Sequence, residues 1–270
     1  PELPEVETIR RGLSRLIVGK KILDITTDSP KQVQPSLVAA KKAVVGAKIK
    51  RIKRRAKLLQ IFLSNKKILV VHLKLTGRLL VRKKGAPKDD WQHITISLSG
   101  NKELRFADLR KFGWIRLVKD KKELEKLLSE FGPELLDGLT LKSFKEILAS
   151  TSRPIKIVLM DQKKIGGVGN IYANDALFLA KIDPRRPAKK ISAKEAKKLF
   201  QALERVLKAG IKYRGASDQY YLDALGRKGS YQEHFLTYGR EGKKCFDCNG
   251  KIKRIKIGGR GTFFCPSCQH

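Results

Sequence analysis

The first two residues of the chain place a nucleophile beside a carboxylate. Pro1 offers a secondary amine, which no internal peptide position possesses, and Glu2 follows directly. An α-amino group has a pKa of about 8, against about 10.4 for lysine, so more of it is free base near neutrality. Such an amine can attack the anomeric carbon of a sugar and form an iminium, while the carboxylate gives or takes a proton. The alternative is an ordinary processed terminus that frays.

The four cysteines of the chain form two closely spaced pairs near its end. Cys245 and Cys248 are followed, after sixteen residues, by Cys265 and Cys268. Two C-x2-C knuckles at this separation favour a tetrahedral thiolate site for one Zn²⁺, with two disulfides as the alternative. Because all four thiols are available as ligands, no position remains for a reactive water, and we expect the zinc to be structural.

The charge of the chain indicates a polyanionic partner. Sixty Lys and Arg residues face twenty-six Asp and Glu residues, which leaves a net charge of +34, and residues 48–57 alone hold seven basic side chains and no acid. Nucleic acid is the first candidate and an anionic membrane the second. The apolar stretches are too short to span a bilayer, and the acidic start is unlike a secretory leader. We therefore expect a cytoplasmic protein that binds nucleic acid and no membrane.

Strands dominate the first half of the chain. A helical pattern runs from residue 4 and closes at Gly19, and residues 20–118 then read as many short strands, with a helical interruption at 31–44. Short strands separated by Gly, Asn, Asp and Ser turns are typical of a sandwich or barrel.

Helices dominate from about residue 131. The most regular helix begins at a Ser192-x-x-Glu195 capping box and is expected to end at Gly210. Asn170, after a glycine-rich turn, is expected to be the N-cap of another helix, where backbone amides could bind an anion. Residues 212–240 have no sustained period and read as a long loop, which in a compact protein is often functional.

Several motifs together resemble bacterial formamidopyrimidine-DNA glycosylases. PELPEVET, RRAKLL, HLKLTG, DLRKFG, GGVGNIYANDALF and a finger around GRGTFFC stand in the order of that family from residue 1 to about 268. The resemblance implies an α+β multidomain fold. It would comprise an N-terminal β-sandwich flanked by helices (1–131), a helical helix–two-turns–helix domain with a lesion-recognition loop (132–240), and a C-terminal β-hairpin zinc finger (241–270).

The same resemblance implies a reaction and a catalytic set. The enzyme would excise 8-oxoguanine and formamidopyrimidines from damaged duplex DNA as a monomer, after flipping the lesion out of the stack. Pro1 would attack the deoxyribose, Glu2 would protonate the ring oxygen, and β,δ-elimination would cut both flanking phosphates. Lys57 would contact a phosphate beside the lesion and assist proton transfer, and Arg260 would grip the neighbouring phosphates.

A DNA-contacting set is implied as well. Three side chains would fill the vacated stack, with Arg110 facing the orphaned cytosine and Phe112 wedging the step. The third, Leu75, stands where the family usually has methionine. Burial of Phe112 and Leu75 in the core is the alternative. The set is completed by phosphate-binding Asn170, by Lys156 near the damaged nucleotide and by His93, and residues 217–233 would form the recognition loop.

Three other protein classes compete with this interpretation. Endonuclease VIII, which acts on oxidised pyrimidines, shares the proline chemistry and a finger, but PELPEVET and the Arg110–Phe112 pair favour the purine enzyme. A non-catalytic zinc-finger DNA- or RNA-binding protein would have no use for a Pro1–Glu2 start. A zinc nucleobase deaminase is disfavoured because none of the four histidines begins an H-x-E motif.

Overall fold

The computed structural model describes residues 1–270 as seven α-helices and eleven β-strands. The helices are α1 (Leu3–Ile17), α2 (Leu37–Val44), α3 (Lys121–Leu128), α4 (Leu141–Ala149), α5 (Ile155–Met160), α6 (Asn170–Ala180) and α7 (Ala193–Lys212). The strands are β1 (Ile22–Thr27), β2 (Val33–Gln34), β3 (Ile49–Arg55), β4 (Leu58–Leu63), β5 (Ile68–His72), β6 (Gly77–Lys83), β7 (Gln92–Leu98), β8 (Lys102–Asp108), β9 (Trp114–Val118), β10 (Lys253–Ile257) and β11 (Arg260–Phe264). None of the helices combines the length and apolarity that crossing a bilayer requires.

By their contacts, the residues form two compact units. The N-terminal unit comprises Pro1–Ser129 and Tyr213–Gln232, and the helical unit comprises Glu130–Lys212 and Glu233–His270. Most of the long loop expected at 212–240 thus packs in the N-terminal unit, although the domain division predicted from the sequence assigns it to the helical part. That three-part division stays a prediction.

Two sheets build the N-terminal unit. The first has four strands in the order β1-β7-β8-β6, and the second has five in the order β2-β9-β5-β4-β3, so that β3 is an outer strand. One core of buried, mostly aliphatic side chains draws on both sheets and on α1, whose Val6, Ile9 and Leu13 are fully buried. Along β7, buried and partly exposed residues alternate, so that one face of the strand points into this core. The predicted sandwich is confirmed, and α3 is a helix that the sequence interpretation missed.

The helical unit is organised around α6 and α7, which pack along each other. The predicted capping box is present, with the backbone N–H of Ser192 donating to Glu195 at 2.8 Å and that of Glu195 to the Ser192 hydroxyl at 3.3 Å. The predicted end at Gly210 is wrong, because α7 continues to Lys212. A Cβ at Gly210 would lie 2.5 Å from the ring of Tyr172, so this glycine permits close helix packing and does not end the helix.

The finger is a two-stranded hairpin, β10–β11, with the cysteine pairs on either side of it. Ile257 pairs with Arg260, and the two residues between them, Gly258 and Gly259, have φ angles of +56° and +76°. Two consecutive positive φ values are typical of a tight hairpin turn that glycine adopts without strain. The turn places Arg260 at the exposed start of β11.

Candidate active site

The start of α1 holds the predicted nucleophile and its carboxylate. Glu2 is the N-cap of the helix and forms a reciprocal capping box with Glu5, in which the Glu2 backbone N–H donates to Glu5 Oε2 at 2.8 Å. The second oxygen, Glu5 Oε1, accepts the backbone N–H of Ala216 at 2.8 Å. The Glu5 carboxylate therefore holds residue 2 and the beginning of the 213–232 loop together.

The Pro1 amine is tuned toward its neutral form. Burial lowers its pKa below the ordinary value of 8.0; Glu5 and Glu2 partly oppose that shift, and the positive charge of Lys57 adds to it. The positive end of the α1 dipole acts in the same direction as Lys57. A lowered pKa leaves more of the amine unprotonated near pH 7, as nucleophilic attack requires.

Lys57 lies in the turn between β3 and β4, and that turn is fixed to α1. Ala56 has a positive φ of 50°, and its carbonyl accepts a hydrogen bond from Arg54 Nη1 at 2.9 Å. Arg54 Nε in turn lies 3.3 Å from Glu7 Oε2 on α1. One arginine thus couples the helix that presents Pro1 to the turn that presents Lys57.

His72, at the end of β5, is a neutral imidazole near the same charges. Its Nδ1 accepts the backbone N–H of Lys74 at 3.0 Å, which places the proton of the neutral ring on Nε2. Burial, followed by the positive charges of Lys74, Lys57 and the N-terminus, lowers the pKa of His72 to about 3. His72 begins the HLKLTG motif, but the sequence analysis predicts no role for it. The feature of the sequence that could have indicated one is a single histidine at the end of a strand among lysines.

The three predicted stack-filling side chains stand on two turns of the N-terminal unit. Leu75, in the β5–β6 turn, is 47% exposed, and Phe112, in the β8–β9 turn, is 54% exposed. Arg110 is exposed too, and its guanidinium lies 4.7 Å from the centre of the Phe112 ring. These exposures rule out the alternative in which Phe112 and Leu75 belong to the core.

The 213–232 segment is an ordered loop that docks on β6. The Tyr220 carbonyl accepts a hydrogen bond from Arg78 at 2.6 Å, and the Ala224 carbonyl accepts the Val81 N–H at 2.8 Å. Within the loop, the Ser217 hydroxyl donates to the Tyr221 carbonyl and accepts the Gly229 N–H. The sequence could not assign these contacts, because most of them involve backbone atoms.

His93 was predicted to contact DNA. In the structure it lies on β7, and its Nδ1 is 2.8 Å from Asp28 Oδ1. This hydrogen bond lowers the pKa of Asp28 below its ordinary value of 3.8. The predicted contact of His93 with DNA stays a prediction.

In the helical unit, Asn170 is hydrogen-bonded to β11 of the finger. The expected N-cap is wrong by one residue, because Gly169 is the cap and Asn170 is the first helical residue of α6. The Asn170 amide donates to the Gly261 carbonyl at 3.1 Å, and the neighbouring Asn174 accepts the Phe263 N–H at 2.8 Å. These bonds fix Arg260 relative to the helix start.

Lys156, which the resemblance places near the damaged nucleotide, is buried in the helical unit, and its role toward DNA stays a prediction. It is 0% exposed, and its Nζ donates to the Gly261 carbonyl at 3.0 Å and to the Thr262 hydroxyl at 2.5 Å. Burying an ammonium is costly unless it is hydrogen-bonded, and these acceptors supply such bonds. The side chain therefore holds the finger hairpin against α5 inside the protein.

The four cysteines converge as a metal site requires. All four Sγ atoms lie within 4.8 Å of one another, with Cys245 and Cys268 3.9 Å apart and Cys248 and Cys265 3.6 Å apart. A tetrahedron of thiolates about 2.3 Å from zinc has S···S edges of about 3.8 Å. The donor set thus fits one structural Zn²⁺ and confirms the predicted ligand chemistry.

Comparisons with known proteins agree along the whole chain. Residues 1–115 match the formamidopyrimidine-DNA glycosylase N-terminal domain, residues 131–221 its H2TH domain, and residues 242–270 the zinc finger found in FPG and IleRS. A formamidopyrimidine-DNA glycosylase of Carboxydothermus hydrogenoformans is 42% identical over 100% of this chain and 99% of its own.

Two solved structures of the Lactococcus lactis Fpg share the fold over 100% of both chains. One is a complex with DNA containing an abasic site, and the other is a mutant in complex with DNA containing Fapy-dG. Each is 36% identical to this chain with a TM-score of 0.94.

Proposed function

The chain belongs to the formamidopyrimidine-DNA glycosylase family, and from this we propose a bifunctional DNA glycosylase and AP lyase that excises oxidised purines from duplex DNA. The substrates are 8-oxoguanine and formamidopyrimidines, and the enzyme acts as a monomer in the bacterial cytoplasm. The damaged-DNA complexes of the similar Lactococcus lactis protein support duplex DNA as the partner.

One observation carries the proposal: a secondary amine with a lowered pKa stands beside a buried carboxyl group. Burial and the Lys57 charge favour the unprotonated Pro1 nitrogen, and Glu2 is 8% exposed at the start of α1. A neutral amine is a nucleophile, and a buried carboxyl group next to it can accept and return a proton without exchange with bulk water.

Pro1 and Glu2 carry the bond changes as far as the iminium, while water supplies the proton that the departing base takes up and accepts the protons lost in the later eliminations. The Pro1 nitrogen bonds to C1′ of the deoxyribose while the bond from C1′ to the damaged base breaks and the base leaves with the electron pair. Glu2 accepts the proton that the nitrogen loses and delivers it to the ring oxygen as the ring opens, which leaves an iminium between Pro1 and C1′. Loss of a C2′ proton expels the 3′ phosphate, a second elimination expels the 5′ phosphate, and water releases Pro1.

Three polar side chains bind DNA phosphates in the proposed complex. Lys57 contacts the phosphate beside the lesion, and its charge suppresses protonation of Pro1. Arg260, exposed at the finger turn, and Asn170, at the start of α6, bind further phosphates. Phosphate contacts of this kind fix the position of the protein on the duplex.

Borohydride trapping tests the proposal. Reduction of the iminium should link the protein covalently to an 8-oxoguanine duplex, and one extra residue before Pro1 should abolish the link. A thymine-glycol duplex is the comparison substrate. Preferential trapping on thymine glycol would instead indicate an endonuclease VIII-like enzyme, and DNA binding with no trapping would indicate a non-catalytic binder.

The contribution of Lys57 has a matched control on the same sheet. Lys66 lies in the next hairpin turn, between β4 and β5, and like Ala56 beside Lys57 it has a positive φ, of 67°. Lys57→Gln should slow trapping and shift its pH optimum upward, because the Pro1 amine loses a nearby positive charge. Lys66→Gln should leave both unchanged.

A further inference from the structure

Asp108 is a buried carboxylate with an unusual set of neighbours. It ends β8, is 0% exposed, and is hydrogen-bonded to the two turns that carry Leu75, Arg110 and Phe112. Its donors are neutral: a hydroxyl, two backbone N–H groups and a side-chain amide. A buried charge needs hydrogen bonds of this kind to offset its lost hydration.

The two oxygens of Asp108 hold different parts of the turns. Oδ1 accepts hydrogen bonds from the Thr76 hydroxyl and, at 3.3 Å, from the Arg110 N–H. Oδ2 accepts the Gly113 N–H at 2.7 Å and the Gln32 amide at 3.4 Å. Thr76 Oγ1 also accepts the Arg110 N–H at 3.1 Å, so the two turns are joined directly as well.

The Asp108 carboxylate is closely packed against the β8–β9 turn at Gly113. A Cβ at Gly113 would lie 3.1 Å from Asp108 Oδ2 and 2.9 Å from the His72 carbonyl oxygen. The buried Gln32 amide additionally donates to the Gly113 carbonyl at 3.0 Å. Backbone, side chain and carboxylate thus pack closely around Gly113 at the end of this turn.

We propose that Asp108 is the positioning residue that holds the Leu75 turn and the Arg110–Phe112 turn in one fixed arrangement for entry into the DNA stack. The proposal rests on the proposed function, because it assumes that these three side chains fill the space of the flipped base. A carboxylate suits the task since it accepts on both oxygens, whereas an asparagine accepts on one and donates from the other. Misplacing such groups by about 1 Å can cost roughly a hundredfold in rate.

The experiment compares two substrates that differ in whether a stack must be filled. One is an intact duplex with 8-oxoguanine opposite cytosine, and the other is a single strand that already contains an abasic site. Excision is measured in single turnover on the first, and borohydride trapping on the second. Asp108→Asn should slow excision at least tenfold and leave trapping within twofold of the unsubstituted protein.

Substitutions of Thr76, which donates to the Asp108 carboxylate, test the same proposal if the Asp108→Asn protein does not fold. Thr76→Val should show the same selective loss, and Thr76→Ser, which keeps the hydroxyl, should restore excision. The matched control is Thr95→Val, which removes a hydroxyl hydrogen-bonded to Gln92 at 2.8 Å on β7 of the same sheet. It should leave both readouts unchanged.

The outcomes separate this proposal from the proposed function. Equal losses on both substrates in the Thr76→Val protein would assign a general structural role and overturn the positioning role, as would unchanged excision. If the unsubstituted protein neither excises 8-oxoguanine nor is trapped, the proposed function itself fails.

Discussion

Acidification should destabilise the N-terminal unit through His72. The pKa of this imidazole is about 3 in the folded protein and has an ordinary value of 6.5. Below pH 6.5 the unfolded chain therefore binds a proton that the folded chain refuses, so stability falls as the pH falls, and the effect levels off near pH 3. Each pH unit in that window costs ~1.4 kcal/mol. Between pH 7 and pH 4.5 the His72 contribution is about 2.5 kcal/mol.

Urea unfolding of the whole protein can isolate this contribution. Both tryptophans, Trp91 and Trp114, lie in the N-terminal unit, and the ring centre of Trp114 is 5.7 Å from that of His72. Tryptophan fluorescence therefore reports this unit. The matched variant is His72→Asn, whose amide oxygen can accept the Lys74 N–H in place of Nδ1 but does not titrate.

The comparison is between two pH dependences, which removes the titrations that the two proteins share. The free energy of unfolding of the unsubstituted protein should fall by about 2.5 kcal/mol more than that of the variant between pH 7 and pH 4.5. Parallel curves would show that the folded imidazole takes up its proton normally and would refute the argument from burial and neighbouring charge.

Four further substitutions probe the exposed stack-filling side chains, the buried Lys156 and the finger residue Arg260. Phe112→Ala and Leu75→Ala remove exposed side chains, so the free energy of unfolding measured by chemical denaturation should change by no more than ~0.5 kcal/mol. Single-turnover excision from an 8-oxoguanine duplex should fall. Unchanged excision would show that these side chains do not fill the DNA stack. Lys156→Met should destabilise the helical unit by ~1–3 kcal/mol because the buried Thr262 hydroxyl loses a donor and the Gly261 carbonyl keeps only Asn170; thermal unfolding would measure this, and an unaltered midpoint would contradict it. Arg260→Ala should reduce the slope of log K against log salt by ~0.9 in fluorescence anisotropy, and an unaltered slope would exclude a phosphate contact.

The sequence predicted the elements whose signals are local. The strands of the sandwich, the Ser192–Glu195 capping box and the four-cysteine site follow from alternation, capping chemistry and ligand spacing, and the structure contains all three. The end of α7 was predicted wrongly because Gly210 does not cap the helix. Its missing side chain leaves room for the ring of Tyr172, a residue distant in sequence. Local punctuation cannot distinguish a packing glycine from a capping one.

The candidate site was predictable where a residue acts alone and not where residues act together. Pro1 can be singled out because it is the first residue, and Arg260 because glycines flank it on both sides. By contrast, the burial of Lys156 depends on its distance from the finger carbonyls, and the neutrality of His72 depends on three surrounding positive charges. Tertiary contacts of this kind leave no pattern in a single sequence.

The outer position of β3 has a consequence for the protein in the absence of DNA. Another sheet could add to the outer edge of such a strand, and charged side chains are a common safeguard against that. Lys50, Arg51 and Lys53 are exposed along β3, so two copies that approach by this edge repel each other. Ions shorten the reach of that repulsion, to about 3 Å at 1 M. At high protein concentration, the copies should therefore stay apart in a buffer of low ionic strength and associate more readily in concentrated salt.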